Sequence, residues 1–576
     1  MKILQHIGMA LVFAGLAVLV LLLNINHYSL TEKSIRTTIQ DSTQADALLS
    51  ASRKLINVEY SSKFQFASDL KKAIGTANKN LKTGNSEPAG DINAVGKIDS
   101  TANKDDESDS AASNEKDSSE LNATIPSKII QDSVDTGKTA TTVSEESSTD
   151  PIDIDIITLL LKNSVEGPLQ KNTASFLWLV IALFSAGSIL FSFAKYLSKP
   201  PGINNNNVFK KSLSSKGIIG IIVGIGLIAF YCVLYWYPYL LADLIKLVDP
   251  LSYSISGYGA DDGFLYGTIY SFAVLLLGIK MFLKYRHSAY QKIRTISVTF
   301  FQLSFAFIIP EILRALKKPA IDLKNIWPLD YSFFWNSNIS ELISNGKLGI
   351  FMLVWGIVLL IIIVPLFTYF FGKRWYCSWV CGCGGLAETA GDPFRHLSSK
   401  KLIAWKIERI MIYSVLVIIT LITAITLINY FSHGRLLGTA TESVQEWYGF
   451  LIGSVFAGVI GTGLYPIMGS RVWCRFGCPL SAIFGIIQRF KSRFRITTNG
   501  GQCISCGNCS TYCEMGIDVR SYAQKGQNIV RASCVGCGIC AEVCPRGVLK
   551  LENGSVSDRI NNDPIIIGNN GIEVKL

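Results

Sequence analysis

The chain has 576 residues, of which 49% are hydrophobic, and its formal net charge is +11. The mean hydropathy of +0.33 is high for a soluble protein, and the excess lies in discrete apolar runs of about 18 or more residues, which are typical of transmembrane helices. Positive charge in a membrane protein collects in its cytoplasmic loops, so the net charge does not indicate a nucleic-acid partner. The composition therefore predicts a mainly α-helical, polytopic membrane protein.

The first apolar run covers residues 7–23 and is not followed by a small-residue cleavage site. We therefore expect residues 1–23 to form an uncleaved membrane anchor with its N-terminus inside. Residues 24–173 are then predicted to lie outside the membrane. From about residue 78 to residue 150 they are rich in small polar and charged side chains, which cannot bury enough apolar surface to offset the entropy of ordering. We predict a largely disordered extracytoplasmic linker.

Seven more apolar runs predict membrane spans, about eight in all: 174–194, 217–240, 264–283, 296–314, 348–371, 410–431 and 449–469. Lysine and arginine are concentrated in loops 195–216, 280–294 and 373–409, which should therefore face the cytoplasm. An even number of spans places both chain ends on that side. The sequence thus predicts a multi-pass protein of the bacterial cytoplasmic (inner) membrane, with helices 2–5 in residues 174–343 and helices 6–8 in residues 344–490.

One loop conflicts with this charge rule. Residues 314–346 are assigned to the outside and yet carry four cations: Arg314, Lys317, Lys318 and Lys324. The outside loops 241–263 and 432–448 carry one lysine or arginine each. Because the three cytoplasmic loops together hold far more positive charge, the orientation prediction is kept.

Eight cysteines near the C-terminus form two matched runs with the spacing Cys-x2-Cys-x2-Cys-x3-Cys. This is the bacterial ferredoxin pattern, in which three cysteines of one run and the fourth of the other hold one [4Fe–4S] cluster. Zinc sites seldom use four cysteines in so tight a run. The predicted ligands of one cluster are Cys503, Cys506, Cys509 and Cys544, and those of the second are Cys534, Cys537, Cys540 and Cys513. We predict an α+β bacterial-type 2[4Fe–4S] ferredoxin domain at 491–552 and a tail at 553–576.

The residues between these cysteines also bear on the clusters. Gly507, Gly536 and Gly538 allow the backbone to curl closely around a bulky cubane. Cys513 is followed by Glu514 rather than by the proline usual after a fourth cysteine, which predicts altered surroundings for one cluster without the loss of a ligand. Thiolates that bind metal need a reducing compartment, which agrees with a cytoplasmic ferredoxin domain.

Two further cysteine pairs lie at the inner ends of the sixth and eighth predicted spans. Both follow the pattern Arg-x-aromatic-Cys-x3-Cys, with Cys377 and Cys381 in the first copy and Cys474 and Cys478 in the second. If the helices continue, the members of each pair face one way, and four thiolates suffice for a third cluster or a reversible disulfide pair. Buried thiols without a redox role are the alternative, but the repetition of the pattern favours redox or metal function.

Four nearby residues carry weaker signals. Arg374 and Arg471 precede the first cysteine of each pair, where their charge would favour the thiolate form, although positive-inside anchoring explains them equally well. Cys383 is an extra thiol with no counterpart in the second copy. Cys232 lies alone in the third predicted span, where a core thiol is the simpler interpretation.

Residues 350–550 resemble the membrane-bound polyferredoxins of the NapH and NosR type, which carry paired Cys-x3-Cys-Pro motifs at inner span ends and then a double [4Fe–4S] domain. The resemblance implies electron transfer between the quinone pool or cytoplasmic donors and a redox partner in the envelope. It also implies an electron-transfer component of an oxidoreductase system rather than a stand-alone enzyme. The first pair departs from the family because Gly382 occupies the position of the family proline.

Two other cofactors are not supported by the sequence. The flavin attachment motif of the NosR branch is not evident in residues 24–173. The five histidines do not pair at mid-membrane depth, where a haem with two histidine ligands would need them. The sequence therefore predicts two [4Fe–4S] clusters, leaves a third open, and predicts neither haem nor flavin.

Two alternative functions would use the same cysteines. An assembly factor of the FixG/CcoG type would reduce a metal or the thiols of a partner during oxidase maturation, but the chain has only seven methionines and no Met- or His-rich tract for a soft metal. A redox sensor would report cluster state to a partner without sustained electron flow. Electron throughput separates such a sensor from an electron carrier, which must be reduced and reoxidised at the turnover rate of its partner.

Overall fold

The computed structural model describes residues 1–39, 41–83, 152, 156–203, 217–319, 322–432, 440–499, 502–553, 566–568 and 571–573. The described chain is mostly helical and divides into two compact units. The larger unit contains Met1–His27 and the chain from Val165 onward, and the smaller unit contains the described residues between Tyr28 and Ser164. The predicted fold class, a helical membrane protein with a small C-terminal ferredoxin domain, is confirmed.

The smaller unit is folded on both sides of the predicted linker. Its helices are Glu32–Thr38, Ser42–Ala51, Lys63–Thr83 and Ile156–Asn163, and its strands His27–Ser29 and Glu59–Tyr60 pair antiparallel. Asn78 accepts a hydrogen bond from the backbone N–H of Ile152 at 2.6 Å and donates one to its carbonyl at 2.9 Å. The prediction of disorder beginning at residue 78 is thus not met up to Thr83, because the apolar face of this helix, including Phe66 and Leu70, is buried. Residues 84–151 lie outside the described part.

Seven helices in the described part of the chain are long and apolar enough to cross a membrane: Lys2–Ile25, Thr173–Tyr196, Ile218–Trp236, Asp262–Lys284, Ala289–Ala315, Gly346–Phe371 and Leu402–Phe431. The eighth predicted span, 449–469, is helical over Gly449–Ile460 and Gly461–Gly463 but is not among the seven. It is rich in glycine and is preceded directly by the polar helix Ala440–Tyr448, so its apolar stretch is shorter and its hydropathy is lower. The protein is a multi-pass membrane protein, and the part of the chain that the structure describes contains seven helices that meet the length and hydropathy of a span.

Two of the spans contain proline and adjust to it in the same way. A π-helical turn at Ser304–Ile308 lies directly before Pro310, and another at Leu359–Ile363 lies before Pro365. Proline lacks the N–H of a regular helix and its ring clashes with the preceding turn. The wider π turn relieves that clash, and both helices continue past their prolines.

Shorter elements complete the larger unit. They are the helices Pro168–Lys171, Ala242–Ile255, Asn336–Ser344, Arg374–Cys377, Gly382–Thr389, Tyr465–Met468, Val472–Phe476 and Pro479–Phe490, the 3₁₀ turns Pro238–Leu241 and Asp392–Leu397, and the strand Val165–Glu166. Most of the segments that follow residue 371 are short because glycine and proline interrupt them. They build the region around the cysteine pairs.

Residues 322–335, part of the loop predicted to lie outside, pack against two of the spans. The Trp355 indole donates to the carbonyl of Leu323 at 3.0 Å and the Trp327 indole donates to Thr423 Oγ1 at 3.1 Å, and both Trp355 and Thr423 lie within spans. Non-helical backbone at such depth is tolerated where protein surrounds it. Lys324, counted above as an outside charge, is buried and paired with Asp322, which explains why this loop conflicted with the charge rule.

The ferredoxin domain begins and ends on paired strands. Arg495–Thr498 and Leu549–Glu552 run antiparallel, and Asn508–Thr511, Val519–Gln524 and Ile539–Glu542 form short helices between them. The tail ends in a hairpin of Ile566–Gly568 and Gly571–Glu573. One hydrophobic core joins this domain to the membrane-side segments, with members from both: Val364, Tyr376, Trp473, Phe484, Phe494, Ile496, Val535 and Leu549.

Candidate functional site: three groups of cysteines

The first cysteine group lies at the surface of the ferredoxin domain. Its four members, predicted to hold one cluster, line a single cavity: Cys503, Cys506, Cys509 and Cys544. Cys506 is exposed and Cys509 is buried. The lining holds no carboxylate, and sulfur alone is the donor set that iron–sulfur clusters take. This group is therefore open to solvent on the side of Cys506.

The two cysteine runs have the same backbone conformation. Gly507 and Gly538 both have φ +77° and ψ −3° and each begins a short helix. Two residues earlier, Ser505 has φ +59° and Gly536 has φ +65°. Three of these four positions are the glycines that the sequence analysis expected to let the backbone curl around a cluster, and Ser505 adopts the left-handed conformation against its intrinsic preference.

The second group consists of Cys534, Cys537, Cys540 and Cys513, which all lie in or against one hydrophobic core. Burial and then the nearby sulfurs of the other three cysteines raise the pKa of Cys540. Membrane-side residues hold its loop by backbone hydrogen bonds. Arg294 and Gln291 donate to the carbonyl of Cys537 at 2.7 and 2.9 Å, and Ser378 donates to the carbonyl of Val535 at 2.8 Å. The second group therefore lies between the first group and the membrane helices.

The two cysteine pairs fold alike, but not as continuous helices. The first helix of each motif ends at or just after its first cysteine, and a new helix begins directly after Cys381 and Cys478. In both copies the second cysteine donates its backbone N–H five residues back, to the carbonyl of Tyr376 at 2.8 Å or of Trp473 at 3.0 Å. The expectation that each pair faces one way along a continuous helix is thus wrong, because the chain turns between the cysteines.

Gly382 and Pro479, the residues that follow the second cysteine of each pair, occupy the same structural position. Pro479 is the first residue of its helix, where a missing N–H has no cost and the fixed φ is suitable. Gly382 is likewise the first residue of its helix, and its carbonyl accepts a hydrogen bond from Tyr270 at 2.9 Å. Gly384 packs closely against the backbone of Cys377, where an added Cβ would lie 2.1 Å from the carbonyl oxygen. The glycines of the first copy therefore preserve the turn.

The third group is formed by the two pairs together. Cys377, Cys381, Cys474 and Cys478 are all buried and line one small cavity, together with Cys383 and apolar or aromatic neighbours such as Leu329, Tyr376 and Trp473. A hydrogen bond from Cys383 lowers the pKa of Cys381 to about 6, against the effect of burial. The donor set is again sulfur without a carboxylate, which fits an iron–sulfur cluster. Cys232 lies in the span Ile218–Trp236 and lines none of these cavities.

Of the two arginines singled out by the sequence, only Arg471 faces the thiols. Its Nη1 donates to the carbonyl of Cys377 at 3.1 Å and lies 3.7 Å from Cys474 Sγ. Arg374 instead stacks on Phe494, with 4.7 Å from guanidinium carbon to ring centroid. The two arginines of the repeat thus have different roles.

A buried network of charges, which the sequence did not reveal, surrounds Arg471. Its Nη2 lies 2.7 Å from Glu388 Oε1 and its Nε lies 3.1 Å from Glu514 Oε1. Arg395 pairs with the same two carboxylates, at 2.5 Å from Glu514, and Arg294 Nη2 lies 2.7 Å from Glu388. Burial would raise the pKa of Glu388, but these arginines together lower it to about 2.

Glu514, the residue in place of the usual proline, is therefore a link between the ferredoxin domain and the cysteine pairs. Its side chain is 1% exposed, and both of its arginine partners belong to the membrane-side segments. Spacing along the chain carries no signal for such a network, since its members lie up to about 220 residues apart from Arg294 to Glu514. The one available signal was the unexpected residue after Cys513.

A larger cavity of about 260 Å³ lies beside Cys474. Its walls include Trp405 and Tyr413 from the first turns of the span Leu402–Phe431, and Lys373. The guanidinium groups of Arg409 and Arg531 lie 5.1 and 4.8 Å from the Trp405 ring. The cavity thus combines aromatic and cationic side chains where this helix begins, next to the third cysteine group.

Comparisons with known proteins agree with the cysteine groups. A family model described as "4Fe-4S dicluster domain" matches residues 502–549, and one described as "4Fe-4S binding domain" matches residues 353–402 and 448–497, each with one cysteine pair. The chain therefore carries 4Fe–4S ferredoxin-type domains.

Two curated proteins are similar over about a quarter of the chain. YccM of Escherichia coli K12, provisionally named an electron transport protein, is 24% identical over 159 residues, which are 26% of this chain and 44% of YccM. The methylamine utilization ferredoxin-type protein MauN of Methylobacillus flagellatus is 26% identical over 158 residues, which are 26% of this chain and 52% of MauN. The chain thus spans about half the length of these relatives. No solved structure matches it.

Proposed function

We propose that this chain is a membrane-bound electron-transfer protein of the NapH/NosR type, which passes electrons between the quinone pool or cytoplasmic donors and a redox partner in the envelope. The observation that carries the proposal is the order of the three cysteine groups within one packed unit. In the first group, Cys506 is exposed to solvent. In the second, Arg294 and Ser378 donate hydrogen bonds to the backbone of the cysteine loop. The third lines a cavity that also contains Tyr376 and Leu329. Two curated relatives named for electron transport or as ferredoxin-type proteins support it.

In this proposal each group holds one [4Fe–4S] cluster, which supplies reversible one-electron transfer when bound. The cysteines provide the ligands, and the buried core excludes water from the second and third groups. Tyr376 orients the third group through its hydroxyl, which donates to the carbonyl of Lys324 at 2.9 Å. The segment 322–335 then separates the third group from the side of the membrane opposite the ferredoxin domain.

The proposed orientation places the ferredoxin domain in the cytoplasm of a bacterial cell. The helices Ala440–Tyr448, Gly449–Ile460 and Gly461–Gly463 follow one another without a break. The middle helix is an apolar π-helix, and the 24 residues together match the number that a span needs. We assign them as the eighth span. A reporter active only in the periplasm when fused after Leu551 would contradict this orientation, and a fusion near Gly137 should behave oppositely.

We assign the quinone head group to the cavity of about 260 Å³ beside Cys474. The cavity borders the start of a span, where a lipid-soluble ligand can enter, and Trp405 offers an aromatic wall. Trp405→Ala should lower quinol oxidation in membranes without loss of iron. Trp178→Ala is the matched control, because Trp178 is an exposed tryptophan on the span Thr173–Tyr196. Equal rates in the two variants would remove the assignment.

The central test concerns the four cysteines of the third group. Iron and sulfide analysis should give three clusters, and replacing any one of the four by serine should reduce electron flux nearly as much as replacing all four, because groups that share one site are not additive. Cys232→Ser is the control. If the quadruple variant keeps full flux and every low-temperature EPR signal of the wild type, the third group is a packing feature. Zinc without acid-labile sulfide would end the whole proposal.

A further inference from the structure

Lys373 is a fully buried lysine, 1% exposed, that contacts the loop of the second cysteine group. Its ammonium donates to the carbonyl of Ala532 at 3.1 Å, two residues before Cys534. Its backbone N–H donates to Gln488 Oε1 at 2.7 Å, and the Gln488 amide donates to the carbonyl of Cys534 at 2.8 Å. Side chain and backbone thus both fix this lysine against the second group.

The same lysine is part of the third group's surroundings. Its carbonyl accepts the backbone N–H of Cys377 at 3.0 Å, which begins the turn of the first cysteine pair. With Cys474 it lines the cavity beside that group. Its side chain therefore borders the second group through Ala532 and the third group through the cavity that it shares with Cys474.

Lys373 differs from the other buried cations near the cysteines. Arg471 has Glu388 and Glu514 as partners, and Lys324 has Asp322. Within the described residues, no carboxylate lies at ion-pair distance from the Lys373 ammonium. A buried charge without a counter-charge is unfavourable. A [4Fe–4S] core ligated by four thiolates is a net anion, and two such anions would flank this ammonium.

We propose that Lys373 is a shared counter-ion of the second and third cysteine groups, and that its charge raises the reduction potential of both. The inference rests on the clusters of the proposed function. Each reduction adds one electron to one group, and no covalent bond forms or breaks. Because the added negative charge lies close to a buried cation, reduction is favoured. Lys373 is thus a residue that tunes the relay without binding iron.

The test is a redox titration followed by low-temperature EPR on the full-length protein. Lys373→Gln removes the charge and keeps a donor for the Ala532 carbonyl, whereas Lys373→Met removes both. Each should shift the reduction equilibrium of the second and third groups by about tenfold toward the oxidised form, about 59 mV for a one-electron couple. Lys373→Arg should restore the wild-type values. The first group is the internal reference and should move less.

Lys550→Met is the matched control, since it removes the same charge from an exposed position on the strand Leu549–Glu552. Potentials are compared only among variants with wild-type iron content, and the Gln variant serves where the Met variant loses iron. Unmoved potentials of the second and third groups in Lys373→Gln, or an equal shift in Lys550→Met, would overturn the inference. Absence of a third signal in the wild-type protein would instead defeat the proposed function, so the two failures are distinguishable.

Discussion

Replacing Glu514 by glutamine should loosen the ferredoxin domain from the membrane-side segments. The carboxylate lies 2.5 Å from Arg395 Nη1 and 3.1 Å from Arg471 Nε, and all three side chains are at most 1% exposed. Removing one partner of a buried ion pair typically costs about 3–5 kcal/mol. Both arginines keep Glu388 as a partner, so the lower end applies, about 3 kcal/mol. This is roughly a 150-fold change in the equilibrium between closed and open domains.

Amide hydrogen exchange measures that change directly. In the Glu514→Gln variant, amides of the short helices Asn508–Thr511 and Ile539–Glu542 should exchange about 150-fold faster wherever domain opening limits exchange. Glu542→Gln is the control. It removes a half-buried carboxylate that lies 3.3 Å from His287 and accepts a hydrogen bond from Ser288, and partly exposed pairs contribute far less than fully buried ones. Equal protection in Glu514→Gln and the wild type would refute the docking role of this ion pair.

Three further predictions follow from the same geometry. Cys383→Ser should keep wild-type iron content, because four other thiols line the cavity, whereas Cys381→Ser should lose the third cluster by iron analysis. Deleting residues 84–150 should leave iron content unchanged, since no cysteine lies there; loss of iron would reveal a role in assembly. Burial would raise the pKa of Asp392, but Lys284, Lys280 and Arg395 hold it well below its usual range. The stabilisation from this carboxylate is therefore present above about pH 4 and is lost on further acidification. The urea midpoint of the wild type should fall below about pH 4, and that of Asp392→Asn should fall less over the same pH range.

Much of the chemistry follows from local sequence. The eight ferredoxin cysteines are predictable because a cubane needs ligands at short, fixed intervals, and the left-handed Gly507 and Gly538 belong to the same local pattern. Most spans are predictable because a bilayer demands long apolar helices. The eighth predicted span has a weaker signal than the others, because its glycines and the preceding polar helix lower its hydropathy.

Other features of the molecule depend on contacts between distant residues. The turn between Cys377 and Cys381, which replaces the expected continuous helix, receives a hydrogen bond from Arg471 Nη1 to the carbonyl of Cys377, across 94 residues of the chain. The smaller unit is folded because the helix Lys63–Thr83 packs its apolar face inward, a contact that composition alone does not reveal. Periodicity and composition predict single helices and strands. They do not predict these contacts, which join several helices and strands.

The sequence by itself therefore determined the cysteine chemistry, the helical membrane class and the ferredoxin spacing, because each depends on residues close together in the chain. Only the tertiary structure decided that Glu514 faces Arg395 and Arg471, that Lys324 is buried rather than an outside loop charge, and that Lys373 lies between two cysteine groups. The physical reason is that a buried charge is tolerated only where folding brings it a partner. Such partners come from segments that are far apart in sequence.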